Sequence, residues 1–593
     1  MTMPSVEEAN ATLTAPGQMF EIEEVEIFGV PTRTWKGCPP SLQLILQLSR
    51  GHGGKDFLVY EDERITFEEH FRLVATLATN LRDRLGVEKG DRVALVMRNL
   101  PEWSAAFWAA TAAGAIIVPL NAWWTAAELE YGLRDCGAKI AILDAERLGR
   151  IRPFLDRLPD LGGVVVTHED RSEVTPEPDG PVPVLAWAEL VAGALEDAGA
   201  SLPEVTLEPD DDATMFYTSG TTGSPKGAVG THRNICSNLM SLFFINTRAG
   251  LRFKQELADT TGKTQNAYLL SVPLFHATGC HAILVANSAA GGKLVMMHHW
   301  DPERALELIE RERITTFGGV PAMVMQVIDS PDFAKRDTTS ITAVAYGGAP
   351  APPDLVRRIT QFFPAGSPSN GYGLTETSSV TTMNNGPDYV RKPGSVGPPV
   401  PVCEVAVVPE GFEGDEPVGV PVGPEVVGEL WIKGPNVVRG YWNKPEETAA
   451  SFSKGWLHSG DVARIDEEGF VHIVDRAKDM LIRGGENVYS VEIEHVLFEH
   501  PAVADTAVIG VPHPVLGEEV GAAVVLRVGA KVSPEELSQH VRERLAGFKV
   551  PTHYWFRSEP LPRNPQGKVL KRQLRDELLG VDVAGEAETD EIG

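Results

Sequence analysis

Amphipathic helical stretches alternate with short apolar runs along the first two thirds of the chain. The runs include Arg92–Val96 (RVALV), Ile116–Pro119 (IIVP), Lys139–Leu143 (KIAIL) and Gly163–Val166 (GVVV). This alternation predicts stacked, mostly parallel sheets covered by helices. Trp103–Leu120 (WSAAFWAATAAGAIIVPL) is long enough to span a bilayer, but Ser, Thr, Gly and Pro interrupt it, which predicts a buried helix followed by a strand. Segments rich in Pro and acid, His168–Pro183 and Glu208–Asp212, read as loops between blocks.

From Pro401 the texture changes. Pro401–Val408, Val427–Lys433 and Phe470–Val474 are short strand-like runs spaced by Gly, Pro and Asp, predicting a smaller β-rich subdomain. A charged run, Asp475–Asp479 (DRAKD), then precedes a compact βαβ-like pattern reaching about Leu579. The expected fold class is α/β: a large N-terminal domain of stacked βα sheets with a β-rich subdomain, followed by a small mobile α+β C-terminal domain. The expected boundaries are a polar leader at 1–40, an N-terminal domain at 41–475, a hinge at 476–479, a C-terminal domain at 480–579 and an acidic disordered tail at 580–593. Val581–Gly593 holds five carboxylates and no Lys or Arg, the composition of a solvated tail.

Composition narrows the function classes. At 593 residues the chain exceeds a single small module. With 43% hydrophobic and 23% charged residues it can bury a sizeable core. The net charge of −29 disfavours nucleic acid and anionic membrane as general partners. Cys38, Cys136, Cys236, Cys280 and Cys403 are scattered without a CxxC pair, so reduced thiols in a cytoplasmic protein are expected. The opening MTMPSVEEAN is acidic and lacks an apolar stretch, unlike a secretory or transit signal. One basic cluster, Arg248, Arg252, Lys254 and Lys263, is a candidate for weak peripheral membrane contact, although Glu256 and Asp259 dilute it.

The most informative segment is Tyr217–Gly227 (YTSGTTGSPKG). Its glycines let backbone N–H groups approach phosphate oxygens, Thr218, Ser219, Thr221, Thr222 and Ser224 add donors, and Lys226 supplies a point charge. It is not a Walker A loop, because Gly227 follows the lysine where that motif needs Ser or Thr. The segment resembles the signature of the adenylate-forming (ANL) superfamily, of the acyl-CoA synthetase or fatty-acid–CoA ligase type. Further motifs follow in order: Tyr346–Pro350 (YGGAP), Asn370–Thr377 (NGYGLTET), Ser459–Asp461 (SGD), Asp475–Asp479 (DRAKD), Gly484–Asn487 (GGEN) and Pro562–Lys571 (PRNPQGKVLK).

Each motif also has a physical reading. Gly347 and Gly348 leave a flat backbone surface and Tyr372 an aromatic face, so a planar base could lie between them. Asn370 carries both a donor and an acceptor for a base edge. Glu376, beside Thr375, is a hard oxygen ligand suited to Mg2+. Asp461 could accept from two adjacent ribose hydroxyls. The resemblance implies that the base is adenine and that Ala349, Gly371, Gly373 and Arg476 also meet ATP, as do Gly220 and Gly223 in the phosphate loop. It implies catalytic roles for Lys568, Lys226, Thr375, Glu376 and His276, with Lys568 meeting the carboxylate and α-phosphate. Lys571 and Arg572 read as surface charges. Lys478 matches the family's hinge position, and Gly484, Gly485 and Glu486 match its coenzyme A channel.

The implied reaction is activation of a hydrophobic carboxylic acid, of fatty-acid type, by MgATP to an acyl-adenylate, followed by transfer to coenzyme A. The acyl pocket is expected near His276–Gly279, Gly318–Met323 and Ser378–Thr382. A homodimer is compatible with this reading. Two alternatives stay open: a ligase that loads a carrier protein, suggested by the long segment Pro409–Pro424, and a catalytically inactive nucleotide- or acyl-binding protein.

Overall fold

A computed structural model of the chain describes residues 3–167, 182–218, 225–253, 265–348, 351–352, 354–484, 486–564 and 567–580. The acidic tail 581–593, most of the loop 168–183 and the phosphate-loop residues 219–224 therefore lie outside the described residues.

Two large sheets carry the N-terminal domain. The first runs, in spatial order, Lys226–Thr231, Asp212–Thr218, Ile116–Pro119, Arg92–Val96, Ile140–Asp144, Gly163–Thr167 and Val184–Ala186. Its strands are parallel apart from the first pair. The second runs Thr382–Asn385, Ser367–Tyr372, Ala343–Gly347, Thr316–Gly319, Ala267–Leu270, Lys293–Met296, Asp56–Tyr60 and Glu63–Thr66, antiparallel only at its two edges. Parallel sheets of this kind are covered on both faces, which explains why Ile140–Asp144 and Gly163–Thr167 are buried at every position.

The expected helix and strand within Trp103–Leu120 are present as Pro101–Ala112 and Ile116–Pro119. Proline at the first helical turn costs no hydrogen bond there. Trp103, Phe107 and Trp108 are fully buried and share one core with Leu95 of the first sheet and Leu58 and Leu294 of the second. The helix is apolar all round because it lies between the sheets. No helix among the described residues is long and apolar enough to cross a membrane.

The leader is folded. Helix Val6–Leu13 has a capping box on Ser5, and strands Ile22–Ile27 and Val30–Trp35 form a hairpin. Trp35 is 1% exposed and packs with Phe20 and with Phe244 of helix His232–Phe253. Sparse apolar residues made the segment read as polar, yet Phe20 and Trp35 dock. The basic cluster is also revised: Arg248 and Arg252 point inward, Arg252 onto the carboxylate of Asp388 and Arg248 onto Asn10 Oδ1 at 3.3 Å. Lys254, Lys263, Glu256 and Asp259 lie outside the described residues.

The β-rich subdomain is a five-stranded sheet of Glu404–Val408, Gly428–Lys433, Trp456–Ile465, Phe452–Ser453 and Val471–Arg476. Strand Val471–Arg476 runs through the first residue of the expected hinge, so the turn proper is Ala477–Asp479 and Lys478 is exposed within it. The C-terminal domain is less βαβ-like than expected. Val503–His513 and Gly517–Leu526 are antiparallel, and only His553–Arg557 pairs in parallel, with Gly517–Leu526. Three residues join the first two strands, too few for a parallel crossover.

Candidate active site

The central strands of the second sheet end at a common cleft. Tyr346 and Asn370 are neighbours in register on adjacent parallel strands, and Gly347 lies beside Gly371. A Cβ on Gly347 would stand 2.4 Å from Gly371 O, so the flat surface expected of the YGGAP motif depends on close backbone approach. Asn370 is buried, and the Tyr346 and Tyr389 hydroxyls meet at 2.8 Å beneath it. Ala349 lies outside the described residues.

A cavity of about 210 Å³ opens between this cleft and the C-terminal domain. Gly348, Asn370, Gly371, Tyr372 and Gly373 form one wall, and Asp461, Arg476 and Lys568 another. Asp461 is 2% exposed. Its Oδ1 lies 3.0 Å from Arg476 Nε and its Oδ2 accepts the Tyr372 hydroxyl at 2.7 Å. Asp461 and Arg476 are register partners on antiparallel strands, so the sheet itself pairs them.

Lys568 lines this wall, and Asn564 Oδ1 accepts its backbone N–H at 2.9 Å. Gly567 is docked against the large domain: a Cβ on it would lie 2.7 Å from Val320 Cγ2, at the start of helix Pro321–Asp329. Burial depresses the Lys568 ammonium to about 7, with Arg476 next in effect, while Asp461 and Asp479 oppose the shift.

Lys226 and Glu376 meet through a residue that the motifs did not flag. Tyr441 donates its hydroxyl to Glu376 Oε1 at 2.8 Å, and Lys226 Nζ lies 5.3 Å from the centre of the same ring. The backbone N–H of Val438 also bonds Glu376 O at 2.9 Å. Tyr441 stands in Arg439–Asn443 (RGYWN), a stretch with aromatic character but no obvious chemical pattern. Lys226 starts its strand opposite Thr218, so the two ends of the phosphate loop are held in antiparallel register. Thr375 and Glu376 form a 3-10 turn directly after Leu374. Among the described residues no group of three or more His, Cys, Asp or Glu side chains could hold a metal. A single carboxylate fits Mg2+, which binds through one or two carboxylates plus substrate phosphates and keeps several waters.

His276 is half-buried, edge-on to Phe275 at 4.7 Å, and burial pushes it down to about 3, so it is a neutral imidazole at physiological pH. It precedes the π-helical segment Thr278–Val285. Gly484 and Glu486 do not reach the cavity. They lie at the exposed end of the hairpin Leu481–Arg483 and Glu486–Val488, where Gly484 N bonds Leu516 O at 2.8 Å; Gly485 lies outside the described residues. Lys571, expected at the surface, is instead half-buried and paired with Glu494 at 2.7 Å.

The AMP-binding enzyme family model matches residues 47–442, and the AMP-binding enzyme C-terminal domain matches residues 492–568. The chain is 36% identical to a feruloyl-CoA synthase of Amycolatopsis sp., over 86% of this chain and 93% of that protein. It is 33% identical to a long-chain-fatty-acid–CoA ligase of Bacillus subtilis, over 88% of this chain and 92% of that one. The solved structure of the anthranilate CoA ligase AuaEII in complex with anthranoyl-AMP aligns over 91% of this chain and 97% of its own. That alignment has a TM-score of 0.77 at 25% identity.

Proposed function

The chain belongs to the AMP-binding enzyme family and is an adenylate-forming ligase of the acyl-CoA synthetase type; on that premise we propose that it activates a hydrophobic carboxylic acid and passes the acyl group to coenzyme A. The observation that carries this reading is the convergence of Lys568, Arg476 and Asp461 from separate segments on one cavity beside Asn370 and Tyr372.

A carboxylate expels oxide poorly, whereas AMP leaves readily, so splitting the reaction at an acyl-adenylate lowers each barrier. In the first step a carboxylate oxygen attacks the α-phosphorus of ATP and the phosphorus–oxygen bond to pyrophosphate breaks. Asp461 accepts from the ribose hydroxyls, held in place by Arg476 and Tyr372. Asn370 reads the base edge. Lys226 and Lys568 offset the charge that builds on the phosphates and the incoming carboxylate. Mg2+, held by Glu376 together with phosphate oxygens, would neutralise charge on the leaving pyrophosphate. In the second step the thiol of coenzyme A attacks the acyl carbon, a thioester forms and AMP departs.

The acyl group has candidate walls at His276–Gly279, Gly318–Met323 and Ser378–Thr382. Neutral His276 suits an apolar pocket, and the small and apolar character of these segments supports a hydrophobic acid, aliphatic or aromatic. The docking of Gly567 against Val320 and the exposure of Gly484 and Glu486 support a first-step orientation, from which rotation at Ala477–Asp479 would bring the hairpin of Leu481–Arg483 and Glu486–Val488 to the thioester site.

The test is pyrophosphate release with MgATP over a panel of aliphatic and aromatic acids, each with and without coenzyme A. Acid-dependent release that yields a thioester is expected. Acyl-adenylate that accumulates without thioester would point instead to a carrier-protein acceptor.

A further inference from the structure

Three buried side chains and the half-buried Lys571 link the two sides of the hinge. Asp475 sits on strand Val471–Arg476, which is paired with Trp456–Ile465 of the large domain, and it is 2% exposed. Its carboxylate accepts from the backbone N–H of Ser490 and, at 3.1 Å, from the Ser490 hydroxyl. Ser490 opens helix Ser490–Phe498 of the C-terminal domain, and its hydroxyl oxygen accepts from Lys571 Nζ at 2.6 Å. Lys571 also pairs with Glu494 at 2.7 Å, and Glu494 Oε1 accepts the Val508 N–H at 2.8 Å.

The order along the chain gives the network its meaning. Asp475 lies before the turn Ala477–Asp479, while Ser490, Glu494 and Lys571 lie after it. The Lys571–Glu494 pair can travel with the C-terminal domain as a unit. The Asp475–Ser490 contact cannot, because it joins the two bodies that a rotation at the turn would separate. Lys571 is the third residue after Lys568 and begins helix Lys571–Leu579, so it anchors the end of the loop that carries Lys568 into the cleft. A second contact between the bodies, Arg527 with Asp329 at 3.6 Å, is exposed on both sides and contributes little. A buried carboxylate that loses its donors is far more costly.

We propose that Asp475, Ser490 and Lys571 are positioning residues that latch the Lys568 loop in the nucleotide cleft, so that the Asp475–Ser490 contact must break before the thioester step. The inference rests on the two-step reading given above. Asp475 acts through Lys568 and does not touch substrate.

The test uses the full-length protein with Asp475→Asn and, separately, Ser490→Ala, the second keeping the Lys571–Glu494 pair and the Ser490 N–H donor to Asp475 while removing the hydroxyl between them. Hydrogen exchange of the ligand-free protein is measured first. Amides of Val320, Ala322 and Met323 and of residues 567–570 should exchange about tenfold faster or more in both variants, the factor expected from losing a hydrogen bond to a charged group. Strands Val503–His513 and Gly517–Leu526 should exchange as in the native protein. Adenylation should fall by a similar factor, while thioester formation from supplied acyl-adenylate should hold or rise. Unchanged exchange at 320–323 and 567–570 in both variants overturns the latch, as does an equal fall in both half-reactions with faster exchange in the two core strands. If the native protein activates no acid, the ligase reading fails, and exchange alone still decides the latch.

Discussion

The phenol of Tyr372 donates a 2.7 Å hydrogen bond to Asp461 Oδ2 across 89 positions of chain. Arg476 holds the other carboxylate oxygen at 3.0 Å. Burial first, and Asp461 next, push the Tyr372 hydroxyl well above its ordinary range, so it remains a neutral donor. The ring proposed as a base platform therefore also orients the carboxylate proposed to hold the ribose.

Asp461→Asn replaces one acceptor oxygen with a donor that must face either the Arg476 guanidinium or the Tyr372 hydroxyl, both donors. The loss of a hydrogen bond to a charged group costs about 1.5–3 kcal/mol, which predicts a KM for MgATP raised about ten- to hundredfold. Initial rates against ATP concentration check this, and a near-native KM would reject the ribose assignment.

Lys568→Ala should reduce adenylation by about 10²–10³, the scale set by loss of one charge-stabilising donor. The pH dependence is sharper evidence. Because the folded state depresses Lys568 from 10.5 to about 7, charging it costs stability below pH 7, and that penalty fades as pH rises toward the unfolded value. The role proposed for Lys568 needs the charged form, so kcat/KM for adenylation should fall above about pH 7, roughly tenfold per pH unit. Lys568→Arg should move this limb upward, and a profile unchanged by that substitution would exclude Lys568 as its origin.

Tyr441→Phe removes the hydroxyl that orients Glu376 while keeping the ring beside Lys226. Losing such an outer partner typically weakens metal binding about ten- to hundredfold, so the Mg2+ concentration for half-maximal activity should rise by that factor. Titration of activity with Mg2+ at fixed ATP measures it.

Lys478→Pro fixes one backbone dihedral in the exposed turn between the domains. Adenylation should persist and thioester formation should be lost, as read by separate half-reaction assays. Normal rates in both would remove Lys478 from the hinge.

Trp35→Ala should cost about 3–5 kcal/mol, as for other fully buried tryptophans, and lower the melting temperature by several degrees. A leader that did not dock would show no change.

Much of this protein was legible in its residues. Apolar runs such as RVALV and KIAIL form buried strands because a parallel sheet covered on both faces asks only for continuous hydrophobicity, a local property. The phosphate loop, the Glu376 turn and the Lys568 loop could be found for the same reason: each is a short run of Gly, hydroxyl and charged residues whose chemistry depends on spacing within that run. Tertiary structure decided the partnerships. Tyr441 joins Glu376 to Lys226, and Asp475 joins Ser490 and Lys571, across intervals that carry no periodic signal. Whether Lys571 or Arg252 is a surface charge depends on a carboxylate from another segment being folded against it. A charge can leave water only when such a partner meets it, and which partner arrives is settled by how the elements pack, not by the residues beside it in the chain.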